Sequence, residues 1–426
     1  MTVKTLEVIR KRLDERPDEL RKARANGQKV VGWTGYNVPE EIIHALGFIP
    51  IRIAIGGDDR LVEVGGRYAS SKNCVFIREI VGAFAENEDP FIQQTDVLAF
   101  DATCLQNFRA AEVIEYYFKR DVVVLGVPRN FYWEEGQEYF VNEANEFTRL
   151  LEERAGAKLD TVKLASSVAL YNDIRKTLKS IYSFQAAKDN VISWEEVFDL
   201  IQAGDLLDKK EYLILLQETL AELQELQPDP VIEADGADGR IFISGSLIPR
   251  GDRKLIGIIN AVGGRIVGDD LWTGILPHLE LDIKEISPAG VALGYLNRTP
   301  HAALPYLDLE SDRRLKKLHE LIDETKAQGV IYHTLRYCDP FTFKAKETKD
   351  ILAKSGIPLL EIHTEYGVNA VAGLRYNRKE RKGEGMTKIK RCDLAGSWAG
   401  GVGQQQAPGR DSNGHTCWMF SITVED

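Results

Sequence analysis

Cysteine is scarce in this chain: five residues in 426, at positions 74, 104, 338, 392 and 417. So sparse and odd a set does not suggest a disulfide framework, and reduced thiols are the expected state. No CxxC pair occurs and no zinc-ligand spacing fits, because a structural tetrahedral site wants a fourth ligand and His333, inside an apolar run, points ambiguously. Long apolar runs are absent too. None approaches the roughly 20 residues of a membrane helix, and the opening segment "MTVKTLEVIRKRLDERPDELRKARANGQK" is charged throughout, without the core of a signal peptide. These absences exclude a membrane-spanning role and point to the cytoplasm. A basic excess is also missing, since 54 Lys and Arg face 65 Asp and Glu for a net charge of -11. A nucleic-acid surface or attraction to anionic lipid is excluded on that ground. An anionic substrate must then be held by locally placed Arg, Lys or backbone N–H groups.

What is present is an alternation of apolar strands and amphipathic helices, the pattern of a mostly parallel α/β sheet. A charged helix runs to about Ala25. "KVVGWTGY" then reads as strand and turn, and "VPEEIIHALG" as a helix with Pro39 near its start and acidic residues at its positive end. "FIPIRIAI" is a second strand and is followed by a polar, Gly-rich loop. Ser70, Ser71 and Asn73 offer caps for the helix of "CVFIREIVGAFA". "TDVLAFDATC" and "DVVVLGVPRNF" are further strands, flanking a helix. From Glu135 to Leu226 strand signals nearly vanish, and four amphipathic helices make a helical linker. A Pro/Gly/Asp-rich boundary, "QPDPVIEADGADG", opens a second α/β run with strands "RIFISGS", "RIVGDD", "GVIYHTLRY" and "IPLLEIHTEY".

The expectation is therefore an α/β protein with two Rossmann-like parallel-sheet domains joined by a helical segment. Residues 1–134 form the first domain, 135–230 the helical linker, 231–377 the second domain and 378–426 an irregular tail holding Cys392 and Cys417. Two similar halves suggest an ancient duplication.

Three cysteines share one kind of position. Cys104 follows the strand "DVLAF", Cys338 follows "GVIYHTLRY", and Cys74 stands at a helix start. Open α/β sheets bind ligands outside the carboxyl ends of their strands. A helix N-terminus favours thiolate, the form that ligates metals. The competing reading is three small buried hydrophobes. If the three act together, they suit a [4Fe-4S] cubane, in which three thiolates leave one iron open.

The segments "GWTGYNVPEEIIHALGFIPIRI", "YASSKNCVFIREIVGAF", "DVLAFDATCLQNFRAAE", "RIFISGSLIPRGDRKLIGIINAVGGRIVGDD" and "GVIYHTLRYCDPFTFKAKETKDILAKSGIPLLEIHTEY" together resemble the 2-hydroxyacyl-CoA dehydratase and benzoyl-CoA reductase family, from about Lys29 to Gly373. The resemblance implies a [4Fe-4S] cluster on Cys74, Cys104 and Cys338, and an acyl-CoA thioester as substrate. It also implies a related second subunit, or a second copy of the chain, and a separate ATP-dependent iron-sulfur activator that delivers one electron at low potential. In the dehydratases that electron makes a ketyl radical from which the 2-hydroxyl and a 3-proton depart; in the reductases electrons enter an aromatic ring. The chain itself carries no GxxxxGK[ST] phosphate loop, in keeping with ATP belonging to the activator. An electron-relay subunit, whose sister chain holds the substrate, is the alternative.

Other candidates follow from position. Tyr36 and Asn37 stand in the turn after the first strand, where the family can place a hydroxyl or water near the open iron. Glu40 and Glu41 open a helix, as capping charges or with one facing the site. Arg109 and Arg336 flank cysteines and are candidates for CoA phosphates or cluster charge. Asp269 and Asp270 are candidate pocket acids, Asp339 is expected to cap the helix after Cys338, and Ser244 with Gly245 to mark a tight strand-to-helix turn. The tail departs from the family after "AGLRYNRKE".

Overall fold

The computed structural model describes residues 3–233, 239–281, 283–304 and 312–366; the expected irregular tail with Cys392 and Cys417 lies outside them. The first half runs α1 (Thr5–Ala25), β1 (Val30–Thr34), α2 (Glu40–Ala45), β2 (Ile49–Arg52), α3 (Asp59–Gly65), α4 (Val75–Glu86), β3 (Val97–Asp101), α5 (Leu105–Phe118) and β4 (Asp121–Leu125). Four helices follow: α6 (Glu134–Ala155), α7 (Thr161–Gln185), α8 (Trp194–Gly204) and α9 (Lys209–Leu226). The second half holds β5 (Arg240–Gly245), α10 (Lys254–Ala261), β6 (Arg265–Asp269), α11 (Leu276–Leu279), α12 (Pro288–Asn297), α13 (Arg313–Thr325), β7 (Gly329–Leu335), α14 (Asp339–Lys354) and β8 (Leu359–Thr364).

Both sheets are parallel throughout and have the same order, β2-β1-β3-β4 and β6-β5-β7-β8. The two Rossmann-like halves expected from the alternation are therefore present, and the matching orders are what a duplication leaves behind. Parallel strands covered on both faces read as continuous apolar runs, and β1 and β3 are buried along their whole length. Their side chains still divide by the period of two. Leu98 and Phe100 face one core, and Val97 and Ala99 face another with α2 and α6. Phe242, Val330 and Tyr332 of the second sheet enter the same core as Leu98 and Phe100. One continuous apolar mass thus joins the halves, with α4, α5, α13 and α14 around it. The helical segment packs on the opposite face of the second sheet, where Trp194, Phe198 and Leu216 meet Ile243, Ile266 and Ile362.

The backbone joins the halves as well. Ile55 and Arg250 form an isolated parallel bridge, with Gly56 N–H donating to the Arg250 carbonyl at 3.0 Å and Arg250 N–H to that of Ala54 at 2.8 Å.

Some local expectations are corrected. The polar stretch after β2 contains a helix, α3, which lies so close to α4 that a Cβ at Gly65 would stand 1.8 Å from the Arg78 carbonyl oxygen. None of Ser70, Ser71 and Asn73 caps α4, because Cys74 occupies that place. Asp339 does not cap α14; Cys338 holds the N-cap position, and Asp339 is the first helical residue. Ser244 lies within β5, where its hydroxyl donates to Asp270 at 3.1 Å.

Candidate active site

In a doubly wound sheet the crevice opens where the chain turns from one side of the sheet to the other, beyond the strands' carboxyl ends. In the first sheet this point lies between β1 and β3, in the second between β5 and β7. Cys104 stands three residues beyond the end of β3, and Cys338 three residues beyond the end of β7. They occupy equivalent places in the two halves, and each is the N-cap of the helix that follows.

Cys74, the N-cap of α4, is held between them. Val75 N–H donates to the Arg336 carbonyl at 3.4 Å, tying the start of α4 to the turn that carries Cys338. Asn73 Nδ2 donates to Gln106 Oε1 at 2.7 Å, and Cys74 N–H reaches the same oxygen at 3.4 Å, tying it to the first turn of α5. The result is a group of three free thiols, of which Cys74, about 5% exposed, and Cys338, about 9%, are buried and Cys104 is half-buried.

The positive ends of α4, α5 and α14 converge here. Backbone N–H groups are aimed at each sulfur: Asn107 N–H reaches Cys104 Sγ at 3.4 Å, those of Phe76 and Ile77 serve Cys74, and that of Phe341 serves Cys338. Burial nevertheless pushes the Cys104 thiol up to about 12. The Cys338 thiol donates to the sulfur of Cys74, which lowers Cys74 below the ordinary thiol range and raises Cys338 well above it. Within this pair the hydrogen bond favours the thiolate at Cys74 and the thiol at Cys338.

That donor set suits a thiolate-bound group. Among the described residues no three His, Cys, Asp or Glu side chains gather as the ligands of a single ion. A polynuclear group asks for something different, sulfurs spread around a larger body, and a cubane with three protein thiolates is such a group.

Tyr36 and Asn37 sit on the adjoining turn. Both backbone N–H groups donate to Asp101 Oδ2, at 2.7 and 2.5 Å, and Asn37 Nδ2 donates to Thr103 Oγ1 at 2.8 Å, one residue from Cys104. Gly35 makes this possible with φ near +129°; a Cβ there would overlap the Asp101 carboxylate. The Tyr36 hydroxyl donates to the Thr299 carbonyl at 2.7 Å.

The other candidates go elsewhere. Glu40 pairs with Lys209 at 2.8 Å, and Glu41 is fully buried against Arg175 at 2.6 Å and the Tyr295 hydroxyl at 2.9 Å. Arg109 and Arg336 are exposed and paired with Glu112 and Glu365. Asp269 anchors the helical segment by accepting from Trp194 Nε1 at 2.7 Å and the Tyr182 hydroxyl at 3.1 Å. Burial lifts Asp269 to about 6 and Asp270 to about 7. His333 is buried inside β7 and meets Thr364 Oγ1 at 2.6 Å.

Two residues near the thiols carry little or no signal in the sequence. His301 lies among the rings of Tyr36, Trp272 and Phe341, at 5.6, 6.0 and 5.1 Å, and burial lowers its pKa to about 3. Its Nδ1 accepts the N–H of Ala303 at 3.1 Å, which leaves the ring proton on Nε2. The buried hydroxyl of Tyr366 feels the charges of Cys74 and Cys338 and has no hydrogen-bond partner among the described residues. The one sequence signal for Tyr366 is its place just past the final strand, and His301 has none.

Two parallel sheets whose switch points face each other across three thiols at helix N-cap positions define an α/β protein with a thiol group between its halves. The profile of the family described as 2-hydroxyglutaryl-CoA dehydratase, D-component, matches residues 35–377, and the chain belongs to that family. It is 28% identical to one of the subunits of benzoyl-CoA reductase from Thauera aromatica, over 78% of this chain and 84% of that one. It is 22% identical to the (R)-phenyllactyl-CoA dehydratase beta subunit of Clostridium sporogenes, over 80% and 87%. It is 23% identical to the beta subunit of (R)-2-hydroxyglutaryl-CoA dehydratase of Acidaminococcus fermentans, over 82% and 89%. The family is one of enzyme subunits of the dehydratase and benzoyl-CoA reductase type. Among the described residues no helix is long and apolar enough to cross a membrane.

Proposed function

We propose that this chain is the [4Fe-4S] subunit of a low-potential radical enzyme acting on an acyl-CoA thioester, by dehydration of an (R)-2-hydroxyacyl-CoA or reduction of a benzoyl-CoA-like ring. Cys74, Cys104 and Cys338 are its cluster ligands. The reading takes residues 1–134 and 231–377 as the two cluster-bearing domains and 135–230 as the linker, and places the protein in an anaerobic cytoplasm beside a related subunit and an ATP-dependent activator. The observation that carries it is the meeting of three thiols from both halves, each at a helix N-cap position.

When bound, such a cluster supplies a single electron at low potential and, through the iron that no cysteine takes, a Lewis-acid position. The chain's own residues do the rest. The N–H groups of α4, α5 and α14 offset negative charge at the sulfurs. Phe76, Trp272 and Phe341, in one apolar cluster with Cys74 and Cys338, limit the access of water to those two sulfurs. Tyr36 and Asn37, whose backbone Asp101 fixes, stand on the turn beside Cys104 and would position a substrate oxygen once the Tyr36 hydroxyl or the Asn37 amide exchanges its present partner. Glu40 is left without a step because Lys209 engages its carboxylate.

Anaerobic reconstitution tests this. The wild type should take up about four irons and as many sulfides per chain, and Cys104→Ala should lose most of them. Full iron retention in that variant overturns the assignment.

The burial of Cys74 and Cys338, together with relatives that are single subunits of larger enzymes, favours the electron-relay reading as the second one. Assay with activator and ATP, of this chain alone and then with its sister subunit, separates the two. Turnover by the chain alone, or by two copies of it, excludes the pure relay.

A further inference from the structure

Beyond the thiols, the first sheet, the helical segment and the second half enclose a space of about 50 Å³. Its wall carries Arg52 from β2, Arg175 from α7, Lys209 from α9 and Arg298 from the end of α12. Each of the four is at most 5% exposed. Burying a cation is costly unless it is paired and its hydrogen-bonding groups are satisfied. Here the pairing is incomplete.

Arg175 pairs with Glu41 and Lys209 with Glu40, whereas Arg52 reaches Asp205 only at 3.6 Å. Arg298 has no carboxylate partner among the described residues. It donates to the carbonyls of Tyr36 and Pro277 and lies over the rings of Tyr36 and Tyr295, at 3.9 and 4.7 Å. Arg52 is likewise held against the faces of Trp33 and Trp272, at 4.9 and 5.2 Å. Glu280, another carboxylate nearby, is taken up by Lys317 at 2.9 Å and by Thr299.

Four cations thus meet three carboxylates. In addition, the Nε groups of Arg52, Arg175 and Arg298, the hydroxyl of Tyr171 and Nε2 of His278 are buried without a hydrogen-bond partner among the described residues. All five residues line the one space. Burial holds His278 well below the ordinary histidine range, and the four cations of this set push it the same way, so the ring stays neutral.

We propose that this cavity binds a small planar oxyanion, a carboxylate group, between Arg52, Arg175 and Arg298. Water would satisfy the orphaned donors but would not neutralise the excess charge. The room, that of about four waters at roughly 10–15 Å³ each, suits a carboxylate of three heavy atoms. Flat guanidinium groups held on aromatic faces present N–H pairs to such an anion in the geometry it accepts. The inference does not depend on the cluster or on the thioester reading.

The anion is either a free short acid or the end of a longer molecule, and one experiment distinguishes the two. The full chain is melted at constant ionic strength in sodium formate, sodium acetate, sodium hexanoate or sodium chloride, and binding is read independently from the ¹³C line width of labelled acetate and hexanoate. A ligand that binds only the folded state raises the melting temperature saturably. The expected result is a saturable rise of several degrees over chloride with at least one carboxylate. Affinity should fall at least tenfold in Arg298→Gln and several-fold in the milder Tyr171→Phe, which keeps every charge. Formate or acetate binding identifies a free acid; binding of hexanoate alone identifies the end of a longer chain. No saturable effect beyond chloride, or equal affinity in wild type and Tyr171→Phe together with Arg298→Gln, overturns the proposal.

Discussion

Asn73 Nδ2 donates to Gln106 Oε1 at 2.7 Å, and the two residues stand beside Cys74 and Cys104 respectively. This bond links two cysteine-bearing loops without using either sulfur. Gln106 is therefore a positioning residue whose loss should loosen the thiol group more than the fold.

Gln106→Ala is expected to lower global stability by only about 0.5–1.5 kcal/mol, the usual net value of a hydrogen bond. Its sulfurs should nevertheless react several-fold faster with a thiol reagent in the apo protein, because Cys74 no longer has its fixed partner. Denaturant melts and reaction rates with a coloured thiol reagent check both parts. An unchanged rate would show that the Val75–Arg336 bond suffices to hold the loop.

Glu79 should shape the pH dependence of folding. It is 1% exposed, accepts the N–H groups of Gly57 and Asp58 at 3.0 Å each, and is lifted by burial to about 8. Because its folded pKa lies above the unfolded value near 4.3, the folded state binds more protons between those values. Its contribution to stability is then present in full below about pH 4 and is lost as pH rises toward 8. Glu79→Gln should flatten this decline, by about 1.4 kcal/mol for each pKa unit of the shift that is real. Urea melts from pH 5 to pH 9 measure it; parallel slopes in the two proteins would count against the assignment.

Two glycines make a matched pair. Gly245 ends β5 with φ near +120°, and a Cβ there would stand 2.0 Å from the His333 carbonyl oxygen. Gly257, inside α10, has nothing within 4 Å of its would-be Cβ. Gly245→Ala should cost upward of about 2 kcal/mol, from backbone strain and displacement of β7. Gly257→Ala should be neutral or stabilising by about 0.5–1 kcal/mol. Thermal melts of both variants decide it.

The parts of this molecule that are legible in the sequence are those set by local pattern. Apolar runs such as Val97–Phe100 mark the strands, and the succession of strand, thiol and helix puts Cys104 and Cys338 at the sheet edges. Helix α3 is not legible, because Gly65 reads as a breaker until the Arg78 backbone is seen packed against it. Asp339 looks like a cap by residue type, but the cysteine before it holds the cap position. His301 and Tyr366 are hidden for another reason. Each leaves a loop near a chain segment more than 200 residues away, and no periodicity records which loops meet. The same holds for Arg52, a cation within a strand whose partners come from the residue after α8 and the loop before α11.

The shared core and the Ile55–Arg250 bridge fix the order in which the thiol group can come into being. Cys338 follows Cys104 by 234 residues. At about 5–20 residues per second of synthesis, Cys74 and Cys104 leave the ribosome tens of seconds before the third thiol exists. Until β7 docks beside β5, they are two exposed sulfurs on an unfinished half. Whatever takes all three sulfurs together can therefore be completed only once Cys338 has been made.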